Sequence, residues 1–362
     1  MVETSDEWIR ERTGIAERHV SVGETVVTLA SEAARKALEQ AGKRAEEIDL
    51  ILVATCSPEQ YLPCCACQVQ AAVGAVNALA FDVNAACSGF LFALNTADAY
   101  LRTGLAENAL VIGSEVLSKL VDWTDRGSCI LFGDGAGAVV VERCEASPGI
   151  LGRALHSDGT GGAVVVERCR TESRAVEYSN ALPETEKGMQ ETAEEKRIPA
   201  AGILGRALHS DGTGGGVLQC GARELTTPYA RTSAAKTDQK QQTDDREHYI
   251  QMDGQEVYRF ATRRVPQCIE EALSDAGLAV PDIDMFVLHQ ANARIIDAVA
   301  KRLHADRDKF PTNLERVGNM SSASIPVLLD ELNRQRKLHR GDRIVLAGFG
   351  AGLTIGACVM TW

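Results

Sequence analysis

The 362-residue sequence predicts an α/β protein built from two copies of one unit. The segments ALEQAGKRAEEID (37–49) and ALSDAGLAVPDID (272–284) share the pattern A-L-x-x-A-G-x5-I-D at an offset of 235 residues. Each couples an amphipathic helix to an apolar run, ILVAT in the first case and MFVLH in the second. Helix alternating with strand implies parallel α/β layers. Another helix follows each run, then a stretch beginning Phe-x-x-Asn: FDVN at 81–84 and FPTN at 310–313. One such match is chance likeness between common helix sequences. The same order and spacing twice make a duplication related by a pseudo-twofold.

Length suits two domains or one large double domain. Hydrophobic residues make up 45% and charged residues 24%, enough apolar matter for a full core. No stretch reaches eighteen uninterrupted apolar residues, and the start, MVETSDEWIRER, is charged. Neither a membrane span nor a secretory signal is expected, so the chain reads as cytoplasmic. A net charge of −12 argues against nucleic-acid binding, which needs a basic face. The eleven cysteines are scattered and read as free thiols of a reducing compartment. Cys64, Cys65 and Cys67 cluster at a helix start, LPCCACQVQAAV, with no Cys/His pair at zinc spacing. They are expected to be buried small residues, and no metal is expected.

A second repeat has a different meaning. AVVVERC occurs at 138–144 and 163–169, and GILGRALHSDGTGG at 149–162 and 202–215, the latter pair 53 residues apart. Residues 170–202 between the copies are polar and Glu-rich and read as a loop. Two units are too few for a solenoid. The expected organisation is an N-terminal half at 1–144, a duplicated or inserted segment at 145–215 and a C-terminal half at 216–362. One copy of the repeated block is expected to suffice for the fold, so that 163–215 is dispensable.

Ligands of open parallel sheets collect at the carboxyl ends of the strands. Three polar residues fall there: Cys87 after FDVNAA, His289 after MFVL, and Asn319 in VGNMSSASIP, beyond the third strand region of the second half. Cys87 is placed at the start of the helix SGFLFALNTADAYL, where the helix dipole and unpaired N–H groups favour thiolate. Small neighbours (Ala85, Ala86, Ser88, Gly89) let a carbonyl approach, and a backbone N–H at the turn can stabilise an oxyanion. An isolated cysteine is usually inert packing. The junction, the small residues and a histidine at the matching end of the other half reverse that expectation. GFGAGLTIGA (348–357) is weak as a phosphate loop, lacking Lys-Ser/Thr and a following helix. It reads as a Gly-rich turn between strands that brings backbone donors near the thiol. FGDGAGAVVVE (132–142) reads as a similar strand turn.

Taken in order, TSDEWIRERTGIAERH, FDVNAACSGF, DWTDRGSCILFGDGAGA, MDGQEVYRFA, HQANARII, GNMSSASIP and GFGAGLTIGA resemble the β-ketoacyl-acyl carrier protein synthase III family. The resemblance implies a thiolase-like fold, two duplicated α/β halves in an α-β-α-β-α layering, and the condensation that starts type II fatty acid synthesis. It implies that Cys87 carries the acyl group from acyl-CoA, while His289 and Asn319 bind the malonyl thioester carbonyl and stabilise the enolate. The amides of Cys87 and Ala351 would form the oxyanion hole. Trp8 and Arg126 would sandwich the CoA adenine, Arg12 would lie near its phosphates, Asn292 near the pantetheine, and Phe132 would line the acyl pocket.

No cofactor is implied, because neutral donors can hold the enolate and decarboxylation drives the carbon–carbon bond. The implied partners are acyl-CoA, malonyl-acyl carrier protein and a second copy in a homodimer. Arg294 and Lys301, seven apart on one helix face, with Arg302 beside them and Arg259 in EVYRFA, resemble the surface that docks the acidic carrier. Two features depart from the family. It normally has a strand before TSDEW, expected to be central to the first sheet, and mostly threonine where this chain has Met320. GNMSSA also resembles chalcone-synthase-like enzymes, which leaves a starter or acyltransferase enzyme of polyketide assembly as an alternative, while the missing strand and the exact repeat leave a non-catalytic product of a disrupted gene as another.

Overall fold

Local sequence signals start and stop the elements of the first half. Ser5 accepts the Trp8 N–H and opens α1 (Asp6–Thr13). Thr25 and Thr28 form a reciprocal capping box at the start of α2 (Val26–Ala41), which Gly42 ends at φ +61°. Then follow β1 (Leu50–Ala54), α3 (Cys65–Val73), β2 (Leu79–Val83), α4 (Gly89–Thr103), β3 (Asn108–Glu115) and β4 (Gly135–Arg143). The computed structural model describes residues 2–143, 150–158, 162–165, 202–211, 216–221 and 248–362.

Strand β1 pairs in parallel with β2 on one side and β3 on the other, and β4 runs antiparallel to β3. Residues Leu50, Leu52 and Ala54 face one core, while Ile51 and Val53 face another. That two-sided burial explains why ILVAT carries no polar alternation.

The 3-residue strands β8 (Leu218–Cys220) and β9 (Ile250–Met252) form a small separate ladder. The second half then runs α5 (Gly254–Asp275), β10 (Met285–Leu288), α6 (Ala293–Arg302), α7 (Leu314–Val317), α8 (Ser324–Arg334), β11 (Arg343–Gly350) and β12 (Thr354–Thr361). Here too the pairing is parallel for β10 with β11 and antiparallel for β11 with β12. The two halves superpose in sequence number. Leu50 pairs with Ala109 as Met285 pairs with Ile344, and Gly113 faces Gly137 as Gly348 faces Gly356. The expected offset of 235 residues therefore holds through β1 and β3.

Layering follows from which faces are apolar. Leu91, Leu94, Leu328 and Leu329 of α4 and α8 pack between the sheets against Leu52, Val111, Leu346 and Met360. Ala30, Ala33 and Ala37 of α2 cover the outside of the first sheet at Ile51 and Ile112. Ile269, Leu273 and Val299 of α5 and α6 cover the second sheet at Phe286 and Val345. This is the α-β-α-β-α order of the thiolase-like fold. Each fully buried aliphatic side chain contributes about 1.5–3 kcal/mol, so the central layer is costly to disturb.

The second half has no strand at Phe310–Asn313, where the FDVN-like position led one to expect it. Pro311 cannot donate to a ladder, and the Phe310 ring instead stacks on Phe286 at 4.6 Å.

Both copies of the long repeat are built into sheets. The first forms β5 (Ile150–Asp158), antiparallel to β4, and the second forms β7 (Gly202–Ser210), antiparallel to β12. Strand β5 therefore holds in the first sheet the place that β7 holds in the second. That place lies beside β4, away from the centre where a first strand had been expected. Strand β6 (Gly162–Val165) lies in register beside β4, pairing Ala138 with Ala163 and Val139 with Val164, so the two AVVV copies are neighbours. Most of the polar stretch at 170–202 lies outside the described residues.

The expectation that 163–215 is dispensable therefore changes, because its removal takes β7 away from eight residues of β12. Deleting 163–215 should lower the melting temperature by about 10 °C or prevent folding, since loss of several kcal/mol moves a domain of this size that far. Trimming only 171–195 should leave it within about 3 °C. Calorimetry of the two deletions checks this, and equal melting temperatures would contradict it.

Candidate active site

Residue Cys87 lies in a single turn, Ala86–Ser88, between β2 and the first residue of α4, and it is buried. Ala86 is left-handed at φ +46°, a conformation that turns the chain sharply from strand to helix. The turn is fixed from both sides. The Ser88 hydroxyl donates to Ala85 O at 2.8 Å and meets Thr354 Oγ1 at 2.7 Å, and Thr354 Oγ1 in turn reaches Ala85 O and Ala351 O. Gly350 is required opposite, because a Cβ there would lie 2.6 Å from the Cys87 N. The Gly-rich turn after β11 is thus pressed against the thiol-bearing turn, with Ala351 next in sequence.

The matching turn of the second half, Ser321–Ala323, starts with left-handed Ser321 at φ +48° and leads into α8. Its Ser321 side chain hydrogen-bonds Cys87 and lies 3.9 Å from Cys56 Sγ. The neighbouring Ser322 hydroxyl reaches Ala54 O at 2.8 Å and the Glu115 carboxylate at 2.9 Å. Glu115 is fully buried and also accepts from Ser57 Oγ, Thr55 Oγ1 and the Cys56 N–H. A buried carboxylate with this many donors is satisfied, and it ties β1, β3 and the second-half turn together.

The thiolate expected at Cys87 is not what this environment favours. Burial pushes the Cys87 thiol up to about 12, the Ser321 hydrogen bond opposes this, and the Glu115 charge adds to it. The removal of water is the largest of these effects. Cys56 is raised as well, by burial first and then by Glu115 and Cys87.

Asn319 is buried, two residues before Ser321, and its Oδ1 accepts the Ser321 N–H at 2.9 Å. That contact leaves the Nδ2 end, with its two donor hydrogens, for a ligand. Its backbone is clamped to Phe132 by Asn319 N donating to Leu131 O at 2.9 Å and Gly133 N donating to Asn319 O at 3.0 Å. His289 continues β10, donating its N–H to Ala347 O at 2.8 Å, and its ring stands edge-on to Phe349 at 5.5 Å. Burial lowers the imidazole to about 3, so it is neutral at ordinary pH. Its Nδ1 is buried without a hydrogen-bond partner.

The outlying residues divide into neighbouring groups. The Arg126 guanidinium lies on the Trp8 ring itself, 3.9 Å from its centroid, with Arg12 at 5.4 Å, so a base between Trp8 and Arg126 must first part them. Asn292 caps α6 by accepting the Arg294 N–H and donates to Arg12 O at 3.2 Å, joining α6 to the end of α1. Arg294 sits over Tyr258 at 6.0 Å, Arg259 pairs with Glu256, and Arg302 donates to Thr262 O, while Lys301 is exposed.

Sequence reading passed over Ser321, Glu115, Cys56 and Gly350. Ser321 and Gly350 stood inside quoted motifs, but Glu115 is one acidic residue ending an apolar strand and carries no local signal. The Cys64–Cys67 expectation is also corrected: only Cys65 is buried, and both flanking cysteines are half-exposed.

Residues 81–159 match the family model of 3-oxoacyl-[acyl-carrier-protein (ACP)] synthase III, and residues 273–362 match that of its C-terminal part. The chain is similar to the β-ketoacyl-[acyl-carrier-protein] synthase III of Clostridium acetobutylicum, at 41% identity over 100% of this chain and 92% of that one. The crystal structure of 3-oxoacyl-[acyl-carrier-protein] synthase III from Aquifex aeolicus is similar with a TM-score of 0.77 at 35% identity, covering 100% and 92% of the two chains. The priming β-ketosynthase of the R1128 polyketide pathway is similar with a TM-score of 0.75 at 30% identity, covering 99% and 89%.

The neutral imidazole has a consequence for acid stability. Between its ordinary 6.5 and the lowered value of about 3, the unfolded chain binds a proton that the folded chain does not. Stability is present above pH 6.5 and is lost as pH falls, by up to about 1.4 kcal/mol per unit. The difference in unfolding free energy between wild type and His289→Ala should therefore shrink by roughly 2 kcal/mol from pH 7 to pH 5. Urea unfolding at the two pH values measures it, and a constant difference would mean that the folded imidazole titrates normally.

Proposed function

The chain belongs to the 3-oxoacyl-[acyl-carrier-protein] synthase III family, and from that we propose that it condenses an acyl-CoA starter with malonyl-acyl carrier protein. The product is 3-oxoacyl-acyl carrier protein, the first condensation of type II fatty acid synthesis, with acetyl-CoA or another short acyl-CoA as starter. The observation that carries the reading is the turn bearing Cys87, which meets Ser321 of the asparagine-bearing loop and Gly350 of the Gly-rich turn. Similarity is stronger to the initiating synthase at 41% identity than to the polyketide priming enzyme at 30%, so the polyketide alternative is not favoured.

In the first half-reaction Cys87 exchanges with the acyl thioester, giving acyl-S-Cys87 and releasing CoA as its thiol. The amides of Cys87 and Ala351 take the oxyanion, at a turn too tight for any residue but glycine at 350. A burial-raised thiol keeps its proton until substrate arrives. In the second, the malonyl carboxylate leaves as CO2 and its electron pair becomes an enolate. Neutral His289 and the Asn319 amide donate to that oxygen. The enolate carbon attacks acyl-S-Cys87, the C–S bond breaks, and the thiolate is reprotonated from solvent. Each step uses protein donors and needs no cofactor. Trp8 and Arg126 would part to hold the CoA base, with Arg12 at the phosphates, Asn292 at the pantetheine and Phe132 against the acyl chain.

The same proposal extends to a cytoplasmic homodimer. Strand β2 ends the first sheet with Leu79 56% exposed, an edge suited to pairing across a twofold. Light scattering at low concentration tests the dimer.

Acyl-CoA should label wild type on the Cys87 peptide by mass spectrometry, and Cys87→Ser should lose transfer altogether. His289→Ala and Asn319→Ala should still acylate but lose malonyl decarboxylation by roughly a hundredfold or more. An adduct confined to another cysteine, or normal decarboxylation in both variants, would sink the assignment.

The carrier is acidic and so is this chain, so docking needs a local basic surface. Arg294, Lys301 and Arg302 on α6 adjoin Arg259, and a groove lined by Arg259, Arg263 and Arg264 also includes Leu353 of the Gly-rich turn. Arg294→Glu should raise KM for malonyl-carrier protein about tenfold or more, most at low salt, and barely change reaction with acetyl-CoA. Equal loss for both substrates would point to a structural defect.

A further inference from the structure

The start of α3 carries a Cys-x-x-Cys pair that the condensation does not use. Cys64 is the N-cap of α3 and Cys67 ends its first turn, with their sulfurs 3.4 Å apart in a thiol–thiol hydrogen bond. The helix is the crossover between parallel β1 and β2, a βαβ setting in which a Cys-x-x-Cys motif reads as redox-active rather than structural. Both residues are half-buried, just after Tyr61 and Leu62, which are 73% and 84% exposed in the single chain. Cys65 between them is buried against the sheet.

Geometry permits a bond with little movement. The two sulfurs, already 3.4 Å apart, need to close by about 1.4 Å to reach the roughly 2.05 Å of a disulfide. The turn itself is held by Asp82, whose carboxylate accepts the Cys65 and Ala66 N–H groups at 2.9 and 2.7 Å. Cys87, by contrast, is buried out of reach of a dissolved oxidant.

We propose that Cys64 and Cys67 form a reversible dithiol–disulfide site that exchanges with low-molecular-weight disulfides. Cys64, the N-cap residue of α3, is the attacking sulfur and Cys67 the resolving one. The Cys64 thiolate attacks one sulfur of RSSR, forming Cys64–S–S–R and releasing RS⁻, which takes up the proton Cys64 lost. Cys67 then attacks the Cys64 sulfur, forming the Cys64–Cys67 disulfide and releasing a second RSH. Two protein thiols are oxidised by two electrons, and one small disulfide is reduced to two thiols.

The full-length protein in its native assembly is incubated with oxidised glutathione, its remaining thiols are alkylated, and intact mass and peptides are measured. Expected are a protein carrying two fewer alkyl groups and a Cys64–Cys67 peptide about 2 Da lighter than its dithiol form, both reversed by dithiothreitol added before alkylation, since a disulfide is two thiols less two hydrogens. Cys67→Ser should stop at a glutathione adduct on Cys64, and Cys64→Ser should form no disulfide. Cys65→Ser should behave as wild type. Exposed Cys220 reports that the oxidant is active. A lasting adduct on Cys64 in wild type would overturn the proposal. So would a disulfide between other cysteines, or reaction at Cys220 while Cys64 and Cys67 stay reduced.

Discussion

Two tight turns, one from each half and each opening a central helix, meet at the centre of this protein, and the rest of the structure is arranged around their contact. Each begins with a left-handed residue that is not glycine, Ala86 at φ +46° and Ser321 at φ +48°, a conformation costing about 1–3 kcal/mol apiece. Both turns press on the other half's sheet. A Cβ at Gly113 would lie 2.4 Å from Ser322 O, and one at Gly350, the last residue of β11, would lie 2.6 Å from Cys87 N. Glycine in the two middle strands is what lets the turns approach, and the central helices that follow lock them by burying Leu91, Leu94, Leu328 and Leu329. The strain is held in place by packing that neither half possesses alone.

The halves are alike in backbone and unlike in the residues they place at this crossing. At the offset of 235 residues, Cys87 corresponds to Ser322, Ala54 to His289 and Glu115 to Gly350. On one side Ser322 is tied down by Ala54 O and the Glu115 carboxylate. On the other, Gly350 leaves the Cys87 amide uncovered by any side chain, and a histidine stands where the first half has alanine. One turn is thereby a structural anchor and its twin a place where a carbonyl can sit. The chemistry proposed for the protein lives in that difference between equivalent positions.

Burial sets the protonation states on which that chemistry rests. It holds His289 neutral and so able to offer a hydrogen to an oxygen without carrying charge into the core. It also keeps the Cys87 thiol protonated against the pull of the helix start. Both effects come from the removal of water by layers on either side, which a strand, a turn and a helix read singly do not supply.

Much of this was legible in the chain itself. The A-L-x-x-A-G-x5-I-D repeat revealed two halves because helix caps and strand periodicity are local and survive duplication. Cys87 and His289 could be picked out because each follows an apolar strand, and Asn319 because it stands in VGNMSSASIP at the matching place of the second half. Tertiary structure decided what depends on distant partners. Pro311 and the Phe286–Phe310 stack removed a strand that pattern alone supported. Two identical copies of GILGRALHSD entered different sheets, since β4 and β12 offer equivalent antiparallel partners and an edge strand is specified by its neighbour as much as by itself. Glu115, a single acid at the end of an apolar strand, became the tie between the halves only because folding brought Ser57 and Ser322 to it. The sequence by itself determined the duplicated plan and the reactive residue types. Their burial and their pairing across the crossing belong to the folded molecule, because both are set by atoms some two hundred residues away.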